Sequence, residues 1–168
     1  LARVQREAPG ITFDLMPIGN LALDQLNRGD IDLVIVPHAM ASTTHPDRVL
    51  FEDDQVCIAW RDNPLLERTL SLAQYLLLGH VVPKLMEYRA QSAVAETVAR
   101  LGKSLNSEVT VSYFAALPRL VVGTTRIATV LRGLAEIWAD YLPLRLFPVP
   151  LRLPPFVEVM QWHACHDR

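Results

Sequence analysis

EAPGITFDLMPIGNLALDQLNRGDIDLVIVP, from Glu7 to Pro37, is the stretch that decides the fold. Ile11, Phe13 and Leu15 alternate with Thr12, Asp14 and Met16, the period of two expected of a strand, whose successive side chains point to opposite faces. Pro17 to Asn20 supply turn residues. Ile18, Leu21, Ala22 and Leu26 then recur at helical spacing, with Asn20 placed to cap the helix start and Gly29 placed for a left-handed cap after Arg28. Ile31 to Val36, broken only by Asp32, is an apolar run suited to a parallel strand covered on both faces. The stretch thus predicts a strand, helix, strand unit. Ligands of open α/β sheets bind beyond the carboxyl ends of the strands, which puts Pro17, Gly19 and His38 on a ligand-facing edge.

The chain has 168 residues, of which 51% are hydrophobic, enough to bury the core of one domain or of two small lobes. Its formal net charge of -2, with no dense run of Lys and Arg, argues against this segment gripping a phosphate backbone. If nucleic acid is bound, another segment reads it. Cys57 and Cys165 are no disulfide framework and suit a reducing compartment, so a cytoplasmic location is expected. No run reaches the roughly 18 apolar residues of a membrane span. The opening LARVQREAPG lacks an initiator Met and reads as the middle of a helix, and the closing WHACHDR looks cut. A fragment of a longer protein, with residues missing at least at its N-terminal end, is the expectation.

Beyond the first unit, Ala39 to Asp47 reads as a polar loop, Gln55 to Trp60 as a strand and Asn63-Pro64 as a turn. Ser71 and Gln74 have capping-box spacing, opening a helix to about Leu78. At Gly79 to Pro83 a strand begins and the pattern restarts. Ala90, Ala93, Val94, Thr97, Val98 and Leu101 form a helical stripe ended by Gly102, and Glu108 to Ser112 follows as a strand. A short helix around Leu117 to Val122, a strand at Arg126 to Leu131 and a helix with Leu134, Ile137, Trp138 and Tyr141 on one face come next. Pro143, Pro148, Pro150, Pro154 and Pro155 then enforce an extended crossover into a last strand, Phe156 to Trp162. The expected organisation is α/β with two lobes, residues 1–78 plus 149–168 and residues 79–148. Two crossings between them would make a hinged cleft. There is no internal repeat.

Few residues point to reaction chemistry. Glu52, Asp53 and Asp54 are adjacent on a strand, so their side chains diverge; they read as a solvated strand start, not an acid/base pair. His163, Cys165 and His166 are metal-ligand types without the second pair that structural zinc uses, and read as incidental. Cys57, between Val56 and Ile58, reads as a small core residue. No nucleophile elbow, Walker loop or dinucleotide fingerprint occurs, so no catalytic set and no cofactor is expected. His80 opens a strand at the inferred lobe junction and reads equally as a satisfied structural histidine or as a ligand contact. Tyr113 and Phe114 end a strand, and Phe156 follows Pro154-Pro155 on the return crossing. Together these aromatics suit a flat apolar ligand held by few polar groups.

The opening stretch resembles the start of the effector-binding domain of LysR-type transcriptional regulators. LFEDDQVCIAWRDNPL, QYLLLGHVVPK, the FxxxPxLVxGTxRIATV pattern at Phe114 to Val130, and LPLRLFPVPLRLPPFVEVMQWH are similar to its nodulation-regulator (NodD-like) branch, near the regulators of aromatic-compound degradation. The resemblance covers nearly the whole chain. It implies two Rossmann-like lobes of the type 2 periplasmic-binding-protein kind, with a small aromatic inducer bound between them and no enzymatic activity. By motif position His80, Tyr113, Phe114 and Phe156 match pocket-lining positions of that branch. It also implies that a winged helix-turn-helix, a linker helix and the first strand of lobe one precede Leu1. Promoter DNA, RNA polymerase and further copies of the chain, as homodimer or homotetramer, are the implied partners. A transport-type solute-binding protein and a prephenate-dehydratase-like enzyme on the same fold are the alternatives.

Overall fold

The helix inside the opening stretch forms as its spacing predicts. In the computed structural model, which describes residues 1–17, 19, 21–83 and 93–166, helix α2 (Ala22–Arg28) ends at Gly29 with φ 75°, the left-handed conformation a glycine adopts without strain. The Gly29 N–H donates to the Leu26 carbonyl at 3.1 Å. Leu21 occupies the N-cap position, and Asn20 lies outside the described residues. Ala22 and Leu26 pack on Val34 and Val36 of β1 (Leu33–Pro37) and on Val159 of β8 (Phe156–Trp162).

The strand expected at Ile11 to Met16 does not form. Those residues follow α1 (Ala2–Glu7) without regular structure, and Ile11, Phe13, Leu15 and Met16 are exposed. Alternation shows that a segment could present one apolar face. A strand also needs a neighbour to complete its ladder of hydrogen bonds, and no described strand lies beside this one. β1 departs from expectation too. It runs antiparallel to β8, and only Val34 and Val36 are buried while Leu33 and Ile35 stay exposed.

β2 (Asp47–Asp53) completes a three-stranded sheet of order β1-β8-β2, antiparallel throughout. This strand starts at Asp47, where the loop expected over Ala39 to Asp47 ends, and it closes with Glu52 and Asp53 of the expected strand start. Its full extent is not legible in the sequence because a register shift between Val49 and Phe51 breaks the period of two. One residue, Asp54, then separates β2 from β3 (Gln55–Trp60), which belongs to a different sheet.

That second sheet has the order β5-β4-β6-β3-β7, built from β4 (His80–Pro83), β5 (Ser107–Val111), β6 (Ile127–Leu131) and β7 (Leu144–Pro148). β4 is parallel to β5 and β6; β3 is antiparallel to β6 and β7. Helices α5 (Leu117–Val121) and α6 (Arg132–Ala139) cover one face, where Val56 and Ile58 meet Leu117, Val121, Ala135 and Trp138. On the other face Cys57 and Ala59 meet Tyr75 of α3 (Leu72–Leu77) and Val94 of α4 (Ala93–Arg100). β3 is therefore buried on both sides. Each fully buried Val, Leu or Ile contributes on the order of 1.5–3 kcal/mol. Ser71 and Gln74 form the expected capping box at α3. Ala90, part of the predicted stripe before α4, lies outside the described residues.

The chain crosses between sheets at Asp54 and again between β7 and β8 through the proline-rich residues 149–155. The first crossing is thus not at the 78/79 boundary expected from the sequence. β3 and α3 go with the five-stranded sheet because β3 pairs with β6 and β7.

Candidate functional site

The crossings fix which edges of the two sheets meet. Because β2 continues through Asp54 into β3, the end of β2 adjoins the start of β3. Antiparallel pairing puts the end of β1, at Pro37, and the start of β8, at Phe156, on that same edge of the three-stranded sheet. On the five-stranded sheet Gln55 lies opposite Leu131, and Val56 opposite Pro148. The ends of β4, β5, β6 and β7 therefore all lie on the edge carrying the start of β3. These are carboxyl ends of parallel strands, where α/β folds place ligands.

The three-stranded edge carries Phe156, whose ring stacks on Phe51 at 6.3 Å between centroids and 27° between planes. Both rings lie on the sheet face away from α2. Phe51 carries no sequence signature of a site, because the register shift beside it breaks the alternation of β2. Between these strands Glu158 lies opposite Pro37 on one side and Phe51 on the other. Burial pushes its carboxyl above the usual range. His38 follows Pro37 and is exposed in a single 3₁₀ turn, His38–Met40. Pro17 and Gly19 are exposed, and the Gly19 carbonyl accepts the Ala22 N–H at 3.0 Å. The short turn between α2 and β1 reverses the chain, so the start of α2, with Gly19, lies at the same end as His38.

On the opposite edge Tyr113 and Phe114 follow the end of β5. Tyr113 is 72% exposed, whereas Phe114 is half-buried against the α5–α6 core. A pocket of about 200 Å³ opens at the crossings, lined by Asp54, Gln55, Arg132, Pro148 and Pro154 among others.

His80 does not join this group. It opens β4, opposite Ser107 and Ile127, at the end of the sheet remote from both crossings. Its ring is buried, packs edge-on against Tyr75 at 4.7 Å and hydrogen-bonds through Nε2 to the Tyr75 carbonyl at 2.6 Å. Burial lowers its pKa below the ordinary value, so the neutral ring is favoured. Its packing and hydrogen bond are those of a satisfied buried histidine. The Tyr75 hydroxyl meets Thr129 Oγ1 at 2.6 Å, continuing a satisfied polar chain inside this core.

The Cys57 thiol is pushed far up by burial and stays protonated. His163 Nδ1 lies 2.8 Å from Cys165 Sγ, and the His163 ring 5.1 Å from that of His45. Among the described residues, no group of three His, Cys, Asp or Glu residues is placed to hold a metal ion, and no helix is long and apolar enough to cross a membrane. The carboxylate run is more than solvated. The Asp53 carboxylate accepts the Gly133 N–H across the sheets at 3.0 Å.

Two sheets joined by two crossings, with carboxyl strand ends gathered at the crossings, define a two-lobed α/β module. Residues 1–167 match the family model described as LysR substrate binding domain, and the chain belongs to that family. It is 38% identical over 167 residues to Nodulation protein D 1 of Rhizobium leguminosarum bv. phaseoli, covering 99% of this chain and 53% of that protein. With Nodulation protein D 2 of Sinorhizobium fredii it shares 39% identity over 166 residues, again 99% of this chain and 53% of the relative. The chain thus spans about half the length of the curated relatives it matches. Among solved structures it is similar to a probable transcriptional regulator from Pseudomonas aeruginosa, with a TM-score of 0.89 and 26% identity over 99% of this chain and 55% of the other. The regulatory domain of MexT, a transcriptional activator in the same organism, has the same fold, with a TM-score of 0.79 at 22% identity, covering 99% and 82%. The two-lobed, type 2 periplasmic-binding-protein-like architecture and the role of effector-binding domain of a LysR-type regulator follow from this membership.

Proposed function

We propose that the effector is a small aromatic molecule held between the facing sheet edges. The observation that carries this reading is the Phe51–Phe156 stack on one edge, with Tyr113 exposed on the other. Aromatic walls bind flat apolar ligands through area and ring contacts, and a few convergent polar groups suffice to orient them. His38 and Glu158 supply such groups. The lobes in this reading follow the sheets, residues 1–53 with 156–166 and residues 55–148. Effector binding shifts the balance between their relative orientations, and it does so only through a difference in affinity for the two arrangements.

The remaining partners belong to the same proposal. Promoter DNA is read by a winged helix-turn-helix outside this segment, consistent with a net charge of -2 here. The complete regulator is a homodimer or homotetramer that acts on RNA polymerase in the cytoplasm and catalyses no reaction. Titration calorimetry with phenols, aromatic carboxylates and flavonoids tests the ligand class. Phe156→Ala and Phe51→Ala are expected to weaken binding about tenfold or more, equivalent to about 1.4 kcal/mol, with His80→Gln binding as wild type. The reading fails if no aromatic compound binds, or if both phenylalanine variants bind as tightly as wild type.

A further inference from the structure

Helix α6 starts without a cap of its own. Its N-cap is Leu131, whose side chain can accept nothing, and its first turn contains no acidic residue. The missing acceptor comes from the other sheet. Asp53, the last residue of β2, accepts the Gly133 N–H through Oδ2 at 3.0 Å while its Oδ1 accepts the N–H of Asp54 at 2.8 Å. The carbonyl of Asp54 in turn accepts the Arg132 N–H at 2.8 Å. The crossing is therefore bonded to the first turn of α6 twice, through the Asp53 carboxylate and the Asp54 carbonyl. A negative carboxylate at a helix start also meets the positive end of the helix dipole, which favours the bond further.

The lever is short. Asp53 pairs with Phe156 at the end of β2, and α6, with Gly133 as its second residue, follows directly on β6. A Cβ added at Gly133 would stand 3.3 Å from Asp53 Oδ2, so the close approach of the two elements uses the absence of a side chain there. A small change of angle at this clamp swings the whole three-stranded sheet, because the crossing itself is one residue long.

We infer that the Asp53 carboxylate is a latch which holds the two lobes in one relative orientation by capping α6 across the crossing, and that releasing it populates a second orientation. Asp53 is a positioning residue that acts through α6. Its regulatory consequence rests on the effector reading above; the latch itself does not.

The test measures distances without ligand, so absence of an aromatic effector leaves it intact. Spin labels at Asp24→Cys on α2 and Ala99→Cys on α4, in a Cys165→Ser background of the protein as encoded, report the separation of the lobes by pulsed electron resonance. Wild type is expected to give one dominant distance. Asp53→Ala removes the acceptor and Gly133→Pro removes the donor at a first-turn position, where proline is tolerated. Both should shift or broaden the distribution in the same sense. Asp53→Asn keeps a side-chain oxygen and should fall between wild type and Asp53→Ala. If Asp53→Ala fails to fold, Gly133→Pro and Asp53→Asn decide the matter. Unchanged distance distributions in the variants that fold overturn the latch, as does an Asp53→Asn distribution identical to that of a fully released lobe pair.

Discussion

His80 shows how one residue's meaning depends on which end of a strand it occupies. The carboxyl-end rule that nominated Pro17, Gly19 and His38 from the sequence would have excluded a residue that opens a strand, had β4 already been known to run parallel to its neighbours. Motif position alone could not show that. The ring is buried against Tyr75 and its pKa is lowered, by burial first, with the Tyr75 carbonyl and the Glu108 charge acting in the opposite sense. The unfolded chain therefore binds a proton on this histidine at a higher pH than the folded chain does. Between the unfolded value of about 6.5 and the lower folded value, the unfolded state carries more protons, so stability falls as pH falls through that window. Urea midpoints measured from pH 8 to pH 5 should decline more steeply for wild type than for His80→Gln. At pH 8 the variant should be less stable by about 1–3 kcal/mol, the cost of disturbing a buried hydrogen bond. Parallel pH curves would rule out His80 as the titrating group.

At the scale of elements, legibility followed periodicity and local chemistry. The α3 capping box was readable because its logic is local. Ser71 Oγ accepts the Gln74 N–H at 3.2 Å, and Gln74 Oε1 accepts the Ser71 N–H at 3.0 Å. Ser71→Ala should lower stability by about 1 kcal/mol, visible as a reduced denaturation midpoint at unchanged slope, with little change on going to Ser71→Asp. A Ser71→Ala protein as stable as wild type would show that tertiary packing of Tyr75 alone sets this helix. Of β2 only the carboxylate-bearing end was readable, because the register shift at Val49/Phe51 destroys alternation before it, and Phe51, half of the aromatic pair at the candidate site, was lost with the rest. The direction of β1 was equally hidden. Parallel or antiparallel pairing is decided by β8, which lies more than a hundred residues away in sequence. Phe156 could be read because the prolines before it announce a crossing. Asp53 could not, since its partner Gly133 approaches only in the folded chain.

For the whole molecule, the distribution of buried side chains sets how it opens. Among the described residues, the five-stranded sheet has a core cluster of ten buried residues on one face and nine on the other, whereas the three-stranded sheet rests on five. The Gln161 amide steadies the smaller unit: its Oε1 accepts the Ser42 N–H and its Nε2 donates to the Ser42 carbonyl, both at 2.8 Å. Hydrophobic stabilisation scales with apolar area removed from water, so the two sheets should open with different free energies even though two crossings tie them together. Native-state hydrogen exchange should find the amides of α2 and β1 exchanging through a lower-energy opening than those of β3 and β6. An effector bound to both edges stabilises only states in which both edges are formed, by about 2.7 kcal/mol at a hundredfold excess over its Kd. Protection should therefore rise most in the three-stranded sheet, closing the gap between the units. Equal exchange energies across both sheets before ligand is added would mean that the crossings, together with the Asp53 clamp, couple them into one cooperative unit, and the ligand would then raise protection uniformly.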